Sequence, residues 1–213
     1  MRVKICGVND PDAFRAACDA GADFVGFVFY PASPRAVSPA MAAALSALRE
    51  GGPERVGLFV DPDDAALEAV LREIRLDTVQ LHGAEPPERV AAIRARFGVR
   101  AIKAVGVARR ADAEAAVAAF GAVADMLLFD AKPPPGATRP GGNAVPIDWA
   151  LLRGLAAPLP WLLAGGLAPA TVAAAIAVSG APGVDVSSGV ERAPGVKDPA
   201  LIRAFIAAAR GAG

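Results

Sequence analysis

The sequence is short of the residues from which metal centres and disulfide frameworks are built. It holds one histidine, His82, in 213 residues, which argues against the multi-histidine metal sites that several barrel enzymes use. Its two cysteines, Cys6 and Cys18, lack the spacing of a metal knuckle, and a single pair gives no disulfide framework. Both read as thiols. Neither sign of charge is in excess: Lys plus Arg number 22, as do Asp plus Glu. There is then no long-range field to gather a polyanion or an acidic bilayer, which speaks against nucleic-acid and membrane partners. No apolar run is long enough to span a bilayer, and the opening MRVKICGVND meets charge and turn residues before any export-type stretch. The expectation is a soluble, cytoplasmic protein with no metal.

What is present is apolar sequence in short, regularly spaced pieces. Hydrophobic residues make up 54% of the chain and charged ones 21%, the balance of a well-buried globular protein. The length suits one domain, residues 1–213, near the lower end for an eight-fold β/α barrel. Eight strand candidates (RVKIC, FVGFVFY, RVGLFV, TVQLHG, RAIKAVGV, MLLFDA, WLLAGG and GVDVSSG) alternate with alanine- and leucine-rich helical stretches. Among the latter, IDWALLRGL fills the place between the sixth and seventh strands. Several helices open on Pro or Asp and close near Gly, as helix-end chemistry favours. The even cadence predicts an α/β protein, a single (β/α)8 TIM barrel, over an open sheet. One connection is longer than the rest; its segment KPPPGATRPGGNAVP, after the sixth strand, reads as an active-site loop or lid.

Alternation along each strand sorts side chains into a helix-facing and a barrel-facing set. Val3 and Ile5 take the helix side, so Lys4 and Cys6 face the barrel. Val79 and Leu81 leave Gln80 and His82 inside; Leu127 and Phe129 leave Leu128 and Asp130; Val184 and Val186 leave Asp185 and Ser187. Taken singly, each polar residue has a plain reading. Cys6 could be a small core residue, His82 a satisfied structural histidine, and Asp130 or Asp185 a loop-capping carboxylate; Cys18 stays in that structural class. Together, four strands send polar groups to one axis near their C-terminal ends. Buried polar groups cost about 1–3 kcal/mol each unless paired, so this convergence points to a site.

Two further features could hold the ends of a ligand. Gly165 and Gly166 end the seventh strand, and Ser187, Ser188 and Gly189 follow the eighth; small-residue loops at these positions are the usual phosphate seat of the fold. Arg35, in the proline-studded YPASPRAVSP, has an arm restricted by its neighbours and a guanidinium suited to a carboxylate through two parallel hydrogen bonds.

KICG, GFVFYPASPR, VGLFVD, VQLHG, LLFDAK, GGNAVPIDW, LLAGGL and DVSSGVE, in this order along almost the whole chain, resemble the phosphoribosylanthranilate isomerase family of tryptophan biosynthesis. The resemblance implies a β/α barrel, no cofactor, and an Amadori rearrangement of a small phosphosugar substrate. It implies that Cys6 is the general base and Asp130 the general acid, and that Arg35 holds the anthranilate carboxylate. Gly165, Gly166, Ser187, Ser188 and Gly189 would form the phosphate cup, and Asp185, Gln80 and His82 would line the site. The chain departs from the family pattern at Asn143 and Ala144, in the long loop.

For such an acid and base to coexist, surroundings must separate their protonation states. Apolar neighbours would favour a protonated Asp130, and positive charge from Lys4 would favour a Cys6 thiolate. Rival readings are a metal-dependent epimerase, which the single histidine opposes, and indole-glycerol-phosphate synthase, which KICG and DVSSGVE oppose. A third is a catalytically silent phosphate-binding barrel. The assembly is expected to be a monomer or a homodimer.

Overall fold

The computed structural model describes residues 1–132 and 147–212. Its elements run β1 (Arg2–Cys6), α1 (Pro11–Asp19), β2 (Phe24–Val28), α2 (Pro39–Ser46), β3 (Glu54–Phe59), α3 (Asp64–Glu73), β4 (Thr78–Leu81) and α4 (Pro87–Phe97). They continue with β5 (Arg100–Val107), α5 (Arg110–Phe120), β6 (Met126–Ala131), β7 (Trp161–Leu163), α6 (Val172–Ser179), β8 (Gly183–Val186) and α7 (Pro199–Gly211). Between β8 and α7 lies a small antiparallel hairpin of β9 (Glu191–Ala193) and β10 (Val196–Lys197). Strands β1 to β8 are all parallel and close on themselves in chain order, β8 pairing back to β1. This is the (β/α)8 barrel expected from the strand cadence.

Pairing register fixes its shape. Stepping across the strands from Cys6 through Gly26, Val56, Thr78 and Arg100, and on through β6, β7 and β8, returns to β1 at a level eight residues before Cys6. That shear is the one an eight-stranded TIM barrel requires. Three aspartates stitch the N-terminal end. Asp23, Asp77 and Asp125 each stand just before an even-numbered strand, and their Oδ2 atoms accept N–H groups of the preceding strand: Val3, Arg55 and Ala101, each at 2.8 Å. Such bonds satisfy strand-end donors and lock neighbouring strands in register.

Helix ends follow the chemistry legible in the sequence. Asp10, Ser38 and Asp198 cap α1, α2 and α7, each followed by a proline at the first helical position. Gly98 and Gly180 close α4 and α6 in the left-handed conformation, at φ 64° and 71°. One helix expectation fails. IDWALLRGL forms only a 3₁₀ turn, Trp149–Leu152, because Gly154 turns left-handed at φ 63° and Pro158 follows before a longer helix can form. The loop KPPPGATRPGGNAVP lies outside the described residues except for Lys132, and Asn143 and Ala144 lie outside them altogether.

Two layers of apolar packing result. Val3, Ile5, Val79, Leu81, Leu127, Phe129, Val184 and Val186 all join the large core between strands and helices. Inside the barrel, Phe24, Val56, Ile102, Ala104, Met126, Leu128, Leu162 and Ala164 form a plug, with Cys6, Val28 and Leu58 above it. Each face assigned by alternation is therefore the face observed. The plug fills the lower barrel, so polar chemistry is confined to the C-terminal mouth.

Candidate active site

Cys6 is the last residue of β1, its inward side chain nearly buried. It lies against Gly26 of β2, where a Cβ would come 3.2 Å from Cys6 Sγ and 3.3 Å from Lys4 Nζ. The glycine thus makes room for the thiol and the ammonium side by side. Lys4 is fully buried and bonds Asp185 Oδ1 at 2.7 Å on neighbouring β8. Burial disfavours its charge, but the Asp185 carboxylate and Cys6 outweigh that and raise the Lys4 pKa. The lysine stays an ammonium.

Lys4 does favour the Cys6 thiolate, as expected, but it does not prevail. Burial pushes the Cys6 pKa above its ordinary 9.0; Lys4 opposes this, Asp185 reinforces it, and Lys197 pulls weakly down. Lys4 spends much of its field on Asp185, so desolvation prevails. In the unliganded protein Cys6 is a thiol near neutral pH.

Across the mouth, Asp130 ends the inward face of β6 next to Ala131. Its Oδ1 accepts the Ala131 N–H at 2.8 Å, and its Oδ2 lies 3.6 Å from His82 Nε2. His82 Nδ1 is 3.2 Å from Gln80 Nε2. With the amide nitrogen donating, Nδ1 accepts and the ring proton belongs on Nε2, facing Asp130. Gln80 Oε1 is buried with no partner among the described residues. Gln80, His82 and Asp130 form one group; Cys6, Lys4 and Asp185 form another. The first group rides on β4 and β6 and the second on β8 and β1, so only β7 lies between Asp130 and Asp185 round the barrel.

The loops after β7 and β8 meet. Gly165 and Gly166 have φ of 85° and 65°, conformations that side chains rarely adopt. A Cβ on Gly165 would also press to 3.2 Å from Asp130 Oδ1. Gly189, in the 3₁₀ turn Ser188–Val190, packs so closely that a Cβ would overlap the carbonyl oxygen of Leu167. The two small-residue loops therefore touch backbone to backbone.

Arg35 does meet a carboxylate through two parallel bonds, but the carboxylate is the chain's own. Its Nε and Nη2 donate to Glu191 Oε1 and Oε2 at 2.6 and 2.9 Å. The arm crosses the end of β1 over Gly7, which has φ 74° and where a Cβ would lie 2.6 Å from Arg35 Cδ. Glu191 and its second partner, Lys197, belong to the β9–β10 hairpin; Glu191 closes the SSGVE stretch that follows the eighth strand, but the sequence reading gave neither residue a role. Their only signal there was the charged pair flanking a Pro-Gly turn, E-R-A-P-G-V-K. A second buried pair also escaped that reading: Lys103 to Glu85 Oε2 at 2.7 Å. Glu85 also accepts the N–H groups of Asp61 and Gly83, which fixes the loop directly after His82.

Comparison with known proteins agrees with this architecture. The family model described as N-(5'phosphoribosyl)anthranilate (PRA) isomerase matches residues 3–208. The chain is 58% identical over 211 residues to the N-(5'-phosphoribosyl)anthranilate isomerase of Paramagnetospirillum magneticum, covering 99% of this chain and 98% of that one. It is 59% identical over 209 residues to that of Paracoccus denitrificans, covering 98% and 97%. The crystal structure of phosphoribosyl anthranilate isomerase from Thermotoga maritima superposes with a TM-score of 0.87 at 39% identity, covering 99% of both chains. A structure of such an isomerase in complex with reduced 1-(o-carboxyphenylamino)-1-deoxyribulose 5-phosphate superposes at 0.83 and 37% identity, again over 99% of both.

Proposed function

The chain belongs to the N-(5'-phosphoribosyl)anthranilate isomerase family, and from that premise we propose how its own residues carry the reaction. It is an aldose–ketose isomerase of tryptophan biosynthesis. The rearrangement converts N-(5-phosphoribosyl)anthranilate to 1-(2-carboxyphenylamino)-1-deoxyribulose 5-phosphate. In our reading Asp130, as a carboxylic acid, gives its proton to the ring oxygen of the aminosugar. The C1–O bond breaks, and the nitrogen lone pair forms an iminium with C1. That double bond acidifies the C2 hydrogen, which the Cys6 thiolate removes, leaving an enolamine. Protonation at C1 and loss of the hydroxyl proton at C2 complete the ketone. One proton has then moved from Asp130 to Cys6, and it returns before the next turnover.

The observation that carries this reading is the placement of Cys6 and Asp130 at the C-terminal ends of inward strand faces, each beside a glycine that leaves room for it. Gly26 flanks the sulfur, and Gly165 flanks the carboxylate. Because the resting thiol is protonated, the base forms only by ionisation, assisted by Lys4 and Lys197. His82 faces the acid, and the Ala131 N–H holds it in line. The touching loops of Gly165, Gly166, Ser187, Ser188 and Gly189 would take the phosphate through backbone N–H groups, and the outer edge of Arg35 the anthranilate carboxylate. Asp185 keeps Lys4 in place beneath the thiol. Gripping both ends of the substrate orients its C1 and C2 between acid and base.

We place the enzyme in the cytoplasm as one barrel domain, monomeric or homodimeric, acting on a small phosphosugar and not on nucleic acid. The balanced charge supports this, as does the absence, among the described residues, of a helix long and apolar enough to cross a membrane. Turnover is followed by loss of aminobenzoate fluorescence on adding enzyme to freshly formed substrate. Cys6→Ser and Asp130→Asn should each lower kcat by at least about a hundredfold. Near-wild-type turnover in either variant would remove that residue from its role.

A further inference from the structure

Glu191 is buried, charged and unused by the steps above. It opens β9 with its carboxylate between two cations: Arg35 through the two bonds already described, and Lys197 Nζ at 2.8 Å. Gly195 N adds a fourth bond at 3.2 Å. The Glu191 and Arg35 side chains are 4% and 5% exposed, and that of Lys197 is fully buried. Burial pulls the Glu191 pKa up, but the bond from Arg35 and the charge of Lys197 bring it below the ordinary value. The carboxylate is therefore ionised, and its acceptor sites are taken. It has little capacity left for a ligand, yet it fixes what its partners can do.

A guanidinium has five N–H donors in a rigid plane. Glu191 takes the Nε–Nη2 edge, which leaves the Nη1–Nη2 edge as a second fork of the shape a planar carboxylate fits. Lys197 also donates to Ser187 O at 2.9 Å and Ser187 Oγ at 3.3 Å. One bonded line thus runs from the loop of Arg35, through the hairpin, to the loop after β8. The hairpin also packs on the Arg35 loop, since a Cβ on Gly195 would overlap the Pro34 carbonyl.

Resting on the assignment of Arg35 to the substrate's carboxylate end, we propose that Glu191 is a positioning residue that turns the free edge of Arg35 toward the pocket and so sets the preference for an arylamine bearing an ortho carboxylate, while Lys197 fixes the spacing between that seat and the Ser187 loop. Without Glu191 the guanidinium loses its fixed plane, and a two-pronged contact with substrate must be assembled at the cost of side-chain freedom. A merely structural residue would affect all substrates alike; this one discriminates between them.

The test compares kcat/KM for the anthranilate aminosugar with that for the aminosugar made from aniline and ribose 5-phosphate, which lacks the carboxylate. Glu191→Gln should lower the ratio of the two by at least about tenfold, mostly through KM of the carboxylated substrate. An unchanged or increased ratio overturns the proposal. If Glu191→Gln does not fold, Glu191→Asp, which keeps the charge and shortens the reach by one methylene, must lower the ratio as well. Lys197→Met should raise KM for both substrates by a similar factor and keep the ratio; any other pattern overturns its spacing role. Arg35→Ala separates the two layers of the argument. If it leaves the ratio at the wild-type value, the assignment of Arg35 itself falls; if it collapses the ratio while Glu191→Gln does not, only the role of Glu191 falls.

Discussion

Replacing Lys4 with methionine probes the ion pair beneath the reactive thiol. Lys4 is wholly buried, its partner Asp185 has a side chain 10% exposed, and the two atoms meet at 2.7 Å. Met fills the space of the aliphatic arm but leaves the Asp185 carboxylate unpaired inside the barrel. Removing one member of a buried pair costs about 3–5 kcal/mol, most of it the price of the stranded charge. With a urea slope of about 2–3 kcal/mol/M for a chain of this size, the unfolding midpoint should fall by about 1–2.5 M. Lys4→Met/Asp185→Leu, which strands nothing, should recover most of the loss. The raised Lys4 pKa also gives a pH signature. The pair's contribution is fully present below the unfolded value of 10.5 and is lost as pH rises through the higher folded value. The gap between wild type and Lys4→Met should therefore persist through neutral pH and close only in strong alkali. A single mutant within about 1 kcal/mol of wild type, or a double mutant no more stable than the single, would refute this reasoning.

Two more expectations concern the base and the phosphate seat. Because burial raises the Cys6 pKa above 9.0, the thiolate ultraviolet absorbance that Cys6→Ser removes should grow in only above pH 9.0 in the unliganded enzyme; a Cys6-dependent thiolate signal already complete at neutral pH would contradict the protonated resting thiol. Gly189→Ala would drive a methyl into the Leu167 carbonyl; it should cost about 1–3 kcal/mol of stability and weaken inhibition by inorganic phosphate, and a variant that melts and binds phosphate like wild type would show that the two loops need not touch.

Much of the fold was legible because the strands carry period-two information. Val3, Ile5, Leu127, Phe129, Val184 and Val186 lie on the helix side as alternation demands, and this alone puts Cys6, Asp130 and Asp185 inside. Helix starts such as Asp10-Pro11 and Asp198-Pro199 were equally readable, since capping is local chemistry. Local signals failed where a distant partner decides. IDWALLRGL has helical composition, yet the left-handed Gly154 cuts it to a 3₁₀ turn. Arg35 and Glu191 are 156 residues apart, and nothing near Arg35 announces that its carboxylate is internal. Lys4 does favour the Cys6 thiolate, but burial and Asp185 outweigh it, and that counterweight was hidden for the same reason. Two residues apart on β1, Lys4 and Cys6 are neighbours by alternation, but the Asp185 that claims the ammonium arrives from β8.

The most direct measurement is a structure of this enzyme with the unreactive reduced product, 1-(o-carboxyphenylamino)-1-deoxyribulose 5-phosphate in its reduced form. The division of labour between thiol and carboxyl requires Cys6 Sγ within about 3.5 Å of C2 and an Asp130 oxygen near the oxygen at C4, on the opposite side of the sugar chain. A ligand held with both groups on one side, or with C2 beyond the reach of the sulfur, would contradict it.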